Sequence, residues 1–582
     1  MKRKITTRRA FLAKSILASG GVILTSQMVA CEKLDEFLGD EADAPTNIPR
    51  FLHGVGSFDP IATAVLIWTR FTPTAEELTH QIAVKWQVAT DEQFKTVVKE
   101  GIQYATEEND FTIIEDVTGL IPNGRYYYRF IQEDLGEISP VGETITLPMP
   151  GSAVDSLKLA VCSCSNYPAG LFNVYDAMAK SDVDIILHLG DYIYEYEVGG
   201  YGTNANTASL GREHDPQNEI LTLEDYRLRY RQYRTDEGLQ LAHQKKPFIV
   251  VWDDHEITND AYKEGAQNHQ DSEGDYQARL ARAIKVHGEY LPVRTDQDGI
   301  IYRNFEYGNL ANLVMLDTRI VGRDKQLAFS DFINADGSFD AIGFTNAVAD
   351  PTRELMGAAQ LSWAATRITG STAKWQVLGQ QVLMGKMTIP AELLTLVGRV
   401  AGGDTSAATL ELLANTITEL STLKARQLQG DNSLTPQEQG RLAASVPYNL
   451  DAWDGYFVER EKLFAALAGK NTVVLAGDTH NGWHNELIDS NGNKIGEEFG
   501  CPSVTSPGFE GLFGEDPTTI AGIEQAFTLL IDGLKYFDAK QRGFVKVHFT
   551  PGAANASYHF VDTIATNNYS VLQGYETNYV GV

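Results

Sequence analysis

The chain has 582 residues, 43% of them hydrophobic and 21% charged, with a formal net charge of −29. The hydrophobic share supports a packed core and excludes wholesale disorder, and the acidity argues against specific nucleic acid binding through a basic face. Four cysteines in this length do not make a disulfide scaffold.

Residues 1–30 carry Lys2, Arg3, Lys4, Arg8, Arg9 and Lys14 and no acid, followed by the apolar run SILASGGVIL at 15–24. A charged head, a short apolar run and small residues form a secretory signal. The string TTRRAFLAK at 6–14 resembles a twin-arginine signal, which implies the twin-arginine export machinery as a partner. MVAC at 28–31 resembles a lipobox, with Cys31 as the lipidated first residue of a mature chain and a lipid anchor to the membrane. The apolar run is shorter than the ~20 residues of a membrane-spanning helix. The expected location is therefore outside the cytoplasm, in the periplasm or at the cell surface. Removing residues 1–30 takes away six cations and no acid, moving the mature chain from −29 to −35. Such a surface repels anionic esters at long range, so a phosphate site must bring its own cations. The acidic stretch 31–47 lacks sustained apolar periodicity and is predicted to be a tether.

Residues 48–150 alternate apolar and polar positions over short runs: TAVLIWTRF at 63–71, IAVKWQVAT at 82–90, FTIIEDV at 111–117 and RYYYRFIQ at 125–132. Turn residues separate them, which predicts an immunoglobulin- or fibronectin-like β-sandwich. Trp68, Trp86 and the YYYRF run are then core residues. LPMPGSAVDS at 147–156 is a linker. From 157 the pattern changes to buried-strand runs alternating with helical periodicity: strands at 157–164, 184–191, 247–256, 310–319, 375–384 and 471–480, helices at 169–181, 224–234 and 272–290. This alternation predicts a layered α/β core over 157–570. Residues 388–445 form a helical insertion, and the runs at 542–550 and 557–564 return to β.

Potential ligands gather directly after the apolar runs. Cys162 and Cys164 end LKLAV, Asp191 follows LHLG, Asp253, Asp254 and His255 follow IVVW, Asp317 follows VML, and Asp478 and His480 follow VVLAG. In open α/β sheets ligands collect beyond the carboxyl ends of strands. One acid there is an ordinary turn residue; five such runs together indicate a metal site. Asp191 and Tyr194 set a carboxylate and a phenol three residues apart, and a phenolate suits Fe3+ better than Zn2+. Cys164 adds a thiolate, while oxygen donors from Asp254, Asn259 and Asp478 favour Ca2+ or Mg2+. With 12 histidines, few of them at strand ends, a multi-His dizinc site is disfavoured. His188 lies inside its apolar run and reads as a hydrogen-bonded core histidine, and Asp317 is either a partner of Arg319 or a site residue.

GDYIYEY at 190–196, WDDHEITND at 252–260, LDTR at 316–319 and GDTHNGW at 477–483 resemble the PhoD family of alkaline phosphatases, within the calcineurin-like metallophosphoesterases. HGVGSFDP at 53–60, CSNYPAGLFNVY at 164–175, YLPVR at 290–294 and NLDAWDGY at 449–456 support it, so the resemblance covers roughly 48–570. It implies an α/β four-layer sandwich of two mixed sheets flanked by helices, after an N-terminal all-β sandwich. It implies hydrolysis of small-molecule phosphate mono- or diesters by in-line attack of a metal-activated hydroxide, with Fe3+ and Ca2+ as cofactors. Carried over motif by motif, Cys164, Asp191 and Tyr194 are implied iron ligands, with Asp191 bridging to calcium. Asn259 and Asp478 are implied calcium ligands, with Asp254 the alternative to Asn259. His480 is implied near iron or phosphate, Asp254 and His255 take the place of the Asn-His pair of other metallophosphoesterases, and Arg319 is a candidate phosphate contact. Three features depart from the pattern: the usual DxH opening is replaced by Cys164, Phe58 stands where the family more often has Gly, and the insertion 388–445 bears on access to the site and so on substrate size. Two other functions fit part of the sequence: a phosphodiesterase or phospholipase D-like activity on larger diesters, and a non-catalytic surface lipoprotein binding through the β-sandwich.

Overall fold

The computed structural model describes residues 49–295, 299–336 and 338–581. The export signal, Cys31 and the tether 31–47 lie outside the described residues.

Two large sheets pack face to face. The first has nine strands in the order Val571–Tyr579, Ala554–Val561, Arg542–Phe549, Leu157–Cys162, Ile185–His188, Phe248–Val250, Val55–Ile61, Ala64–Arg70 and Thr112–Thr118. The second has seven: Arg303–Tyr307, Ala311–Met315, Trp375–Gly379, Asn471–Ala476, Lys494–Gly500, Gly482–Ile488 and Leu534–Asp538. Each is parallel at its centre and antiparallel at its flanks. The central strands are buried on both faces, which is why their sequences read as continuous apolar runs.

Side chains alternate between two cores with the period of two that a strand imposes. Leu313, Met315, Val377, Val473 and Leu475 face the first sheet, whereas Val314, Leu316, Leu378, Val474 and Ala476 face outward. Helices Asn173–Lys180, Leu223–Tyr233, Glu237–Lys245 and Tyr276–Tyr290 contribute to the first core, and Gly357–Gly370, Phe457–Leu467 and Pro517–Leu530 to the second. The result is four layers, helix, sheet, sheet and helix. Insertion 388–445 closes at its neck, where Thr388–Pro390 pairs antiparallel with Ser445–Pro447. Its helices Ala391–Ala401 and Ala407–Leu428 bury Leu393, Val400, Leu413 and Leu420 in the second core, so it is stitched into the molecule.

Residues 55–145 do enclose a core of their own, with Val65, Ile67, Val84, Trp86 and Phe130 between two sheets. One of those sheets does not stop at the linker. Val55–Ile61 pairs in parallel with Phe248–Val250, Phe58 opposite Phe248, so the β module shares a sheet with the α/β body. The expected self-contained N-terminal sandwich is corrected in that respect: its partner strand lies about 190 residues away, beyond what local alternation can register. Phe58, the departure from the family pattern, sits at this seam against His243 and Phe248. Trp68 lies fully buried in the large core, its indole N–H donating to the carbonyl of Glu289.

Candidate metal centre

The parallel centres of both sheets release their chains on one side, and each release carries chemistry. Cys164 follows Leu157–Cys162, Asp191 and Tyr194 follow Ile185–His188, Asp253 to Glu256 follow Phe248–Val250, Arg319 follows Ala311–Met315, Asp478 and His480 follow Asn471–Ala476, and Ser506 follows Lys494–Gly500. The backbone is strained there. Cys164, Asp191, Asp260, Asp478 and His480 all sit at φ between 53° and 66°, half of the ten non-glycine residues with positive φ among the described residues. Such strain persists only where surroundings impose it, and it concentrates at functional sites. Gly190 is required for the same crowding: at φ 103°, a Cβ would lie 2.3 Å from Cβ of Asp253.

Ligand atoms of Cys164, Asp191 and His480 lie within 4.8 Å of one another. The Tyr194 hydroxyl joins them, donating to Asp191 Oδ2 at 3.0 Å, standing 3.3 Å from His480 Nε2, and receiving a hydrogen bond from Ser506 Oγ at 2.6 Å. His480 Nδ1 is 2.8 Å from the carbonyl of Pro507, so that nitrogen carries the hydrogen and Nε2 turns its lone pair to the cluster. Burial holds this imidazole down at about 3, hence neutral. Burial, reinforced by the charge of Asp191, pushes both the Cys164 thiol and the Tyr194 phenol well up. Asp191 is itself raised, by burial and by Asp254, Asp253 and Glu256 against the opposing pull of His255. Its buried Oδ1 has no hydrogen-bond partner. Buried acids that repel one another, one with an orphaned oxygen, fit a bound cation, which would oppose the upward shifts of Cys164, Tyr194 and Asp191.

Two further sets extend the chain of donors: Asp191, Asp254 and His255, then Asp253, Asp254 and Asp478, each within 4.8 Å. Asp191 and Asp254 are shared between sets, so the three are contiguous. Against the cost of burial, Arg319 and His255 hold Asp254 down at about 2. Asp478 goes the other way, to about 7, because burial and Asp451 and Asp254 outweigh Arg319 and Arg323.

Arg319 was expected to offer its guanidinium to phosphate. The structure engages it elsewhere: it pairs through Nε with Asp253, through Nη1 with Asp451 at 3.0 Å, and through Nη2 with Asp451 at 2.9 Å and Asp478 at 3.1 Å. A guanidinium among so many carboxylates is drawn into their midst, and it orients them. Asn259 is half-buried and turns its side chain to Gln267 at 3.0 Å, whereas Asp254 belongs to two donor sets. Asp317 is a turn residue, accepting from the backbone N–H of Arg319 and Ile320 and the indole of Trp252. His188 is buried and bonded to Tyr175 at 2.7 Å, as a core histidine.

Four residues that the strand-end pattern missed complete the site. Glu195, fully buried, stands 2.7 Å from His255 Nδ1 and also accepts the backbone N–H of Asn259 and the amide of Asn268. Despite burial, Glu195, Asp191 and Asp254 raise His255 well above its ordinary range. Glu256 accepts backbone N–H groups from Asp191, Tyr192 and Asp253 at 2.6–3.0 Å, locking two ligand loops at fixed spacing. Asp451 clamps Arg319 and Arg323, and Ser506 holds Tyr194. Glu195, Glu256 and Asp451 stood inside quoted motifs; nothing short of the folded loops assigned them partners.

The chain is similar to known proteins over most of its length. The family model PhoD-like phosphatase matches residues 159–558, and the model PhoD-like phosphatase, N-terminal domain matches 39–148. Alkaline phosphatase D of Bacillus subtilis (strain 168) is 34% identical over 476 residues, covering 79% of this chain and 70% of the relative. The solved structure of PhoD superposes with a TM-score of 0.71 at 28% identity, over 93% of this chain and 92% of its own.

Proposed function

The chain belongs to the PhoD-like phosphatase family and is a phosphoric ester hydrolase, and from that premise we propose that its strand-end cluster is a metal centre with two compartments, Fe3+ against Cys164, Asp191 and Tyr194 and Ca2+ against Asp191, Asp254 and Asp478. The donor chemistry supports the division. Thiolate and phenolate gather on one side of Asp191, where they suit a ferric ion. Carboxylates gather on the other, where they suit a hard divalent ion. Ions bound there supply Lewis acidity, acidifying water and offsetting charge on phosphoryl oxygens.

The chain's own residues do the rest. Asp191 spans the compartments and fixes their separation. His480, held neutral with Nε2 inward by Pro507, completes the Cys164 and Tyr194 side. His255, oriented by Glu195, is placed to hold a phosphoryl oxygen or to give a proton to the departing alcohol. Arg319 acts as a positioning residue, keeping Asp253, Asp451 and Asp478 from splaying. The substrate is a small phosphate mono- or diester, and the alternative of a non-catalytic binding lipoprotein gives way to family membership.

One observation carries this reading: Cys164, Asp191 and His480 present ligand atoms within 4.8 Å of one another, from three strand ends far apart in sequence. Elemental analysis and visible absorption test it. Purified protein is expected to contain iron and to show a phenolate-to-iron band that Tyr194→Phe removes, while EGTA abolishes turnover. Colourless, iron-free, fully active protein would reject the iron assignment.

The N-terminal sequence supports export by the twin-arginine route and anchoring through Cys31, which places the centre outside the cytoplasm. Cell fractionation of an Arg8→Lys, Arg9→Lys variant tests this: retention in the cytoplasm is expected, and unchanged export counts against it.

A further inference from the structure

Between the strand Ile185–His188 and the helix Leu223–Tyr233 runs a long segment without regular secondary structure, and it carries two tyrosines to the mouth of the site. Tyr201 is 37% exposed, yet its hydroxyl is fixed, 2.9 Å from His480 Nδ1 and 3.1 Å from the carbonyl of Pro507. Its ring lies 6.0 Å from that of Tyr194, 6.0 Å from that of His480 and 5.9 Å from that of Tyr196. Tyr196, half-buried, continues the row to His255 at 5.5 Å. The backbone beneath is pinned: Asn166 donates to the carbonyl of Tyr201, and a Cβ on Gly202, at φ 87°, would lie 2.1 Å from Asn166 Oδ1. The two rings therefore form a rigid aromatic wall joining His255 to His480, with a face open to solvent.

We propose that Tyr196 and Tyr201 form the leaving-group subsite of the hydrolase, and that it selects esters whose alcohol is planar, aromatic and uncharged. The inference rests on the phosphoester hydrolase reading and names its substrate class. A leaving group departing beside either histidine has the wall as its neighbour, and an immobilised ring offers stacking at little entropic cost. Charge argues against an anionic alcohol. The chain carries a net −29, and Arg542, close enough to act on Tyr201, is engaged with Glu510 and the carbonyls of Thr505 and Lys540.

The test compares benzyl phosphate with n-butyl phosphate, whose alkoxides leave with nearly equal difficulty, in metal-loaded wild type, Tyr201→Phe and Tyr201→Ala. The quantity read is the ratio of kcat/KM for the two esters. Tyr201→Phe keeps the ring and loses only the hydroxyl, so both rates fall but the ratio stays within about twofold. Tyr201→Ala removes the wall, and the ratio falls about tenfold, expressed in KM, in line with the worth of an aromatic pair. An unchanged ratio in Tyr201→Ala, or an equal fall in Tyr201→Phe, overturns the subsite. If wild type cleaves neither monoester, the ratio is read on dibenzyl and di-n-butyl phosphate instead; wild type that hydrolyses none of the four overturns the hydrolase reading and this one with it. Wild type that prefers n-butyl phosphate overturns the subsite alone.

Discussion

Asp191 holds its backbone in the left-handed region at φ 57° while its buried carboxyl has one oxygen bonded by Tyr194 and the other without a partner. In metal-free protein burial, and then the neighbouring acids, penalises the charged form of this carboxyl, so a neutral amide of the same shape replaces it at little cost. Asp191→Asn is expected to unfold at the wild-type temperature without metal, to gain no thermal stability from iron and calcium, and to lose at least about 100-fold in activity. A metal-free variant much less stable than wild type would mean that Asp191 is a packing residue. The same charges set a pH dependence. Asp478 and Glu256 are raised to about 7 and Asp260 to about 6, each above its unfolded value. In that window the native state holds more protons than the unfolded state, so metal-free stability from these groups is present at low pH and lost as pH rises through 6 to 7. Bound cations remove the repulsion. The rise in Tm on adding metal is therefore expected to be larger at pH 8 than at pH 5, and thermal scans at the two values check it.

At the scale of elements, the seam between Val55–Ile61 and Phe248–Val250 decides what can fold. Asp59 pairs with Arg303, Asp110 with Arg231, and Trp68 reaches Glu289, all across it. A chain lacking residues 49–150 exposes this edge of the first sheet and is expected to be insoluble rather than an active phosphatase. Trp68→Ala in the whole chain is expected to cost about 3–5 kcal/mol in chemical denaturation; a loss below about 1 kcal/mol would show the seam to be unimportant. The seam also marks where sequence reading stopped. Strand runs, the insertion and the donors at strand ends were legible because each is written in a few consecutive residues: apolar run, then Cys164, Asp191, Asp254 or Asp478. The parallel pairing across about 190 residues was not, because no local pattern names a strand's neighbour. For the same reason Glu195 and Asp451 were passed over, and Arg319 was read only as a candidate phosphate contact. Their roles depend on which loops meet, and several aspartates reach Arg319 before any ligand can. The final strand Val571–Tyr579, mostly exposed at the sheet edge, lacks the apolar run that revealed the others.

For the whole molecule the governing fact is a net charge of −29 around a cluster that must attract an anion. Screening over a Debye length of about 10 Å at 0.1 M salt weakens the repulsion outside while leaving the buried site little changed. With metals saturating, kcat/KM for a dianionic monoester is expected to rise with ionic strength while kcat stays constant; a flat or falling kcat/KM would show that the exterior field plays no part in encounter. Remote strand ends meet in a cluster of thiol, phenol and carboxylate groups, and the proposed occupants are a ferric ion beside a calcium ion. Anomalous scattering from crystals of the purified protein, recorded on both sides of the iron absorption edge, tests it most directly. The account predicts an iron peak bounded by Cys164 Sγ, Asp191 and the Tyr194 hydroxyl oxygen. Active protein whose maps show no iron at that point, or show it bound elsewhere, would contradict the account.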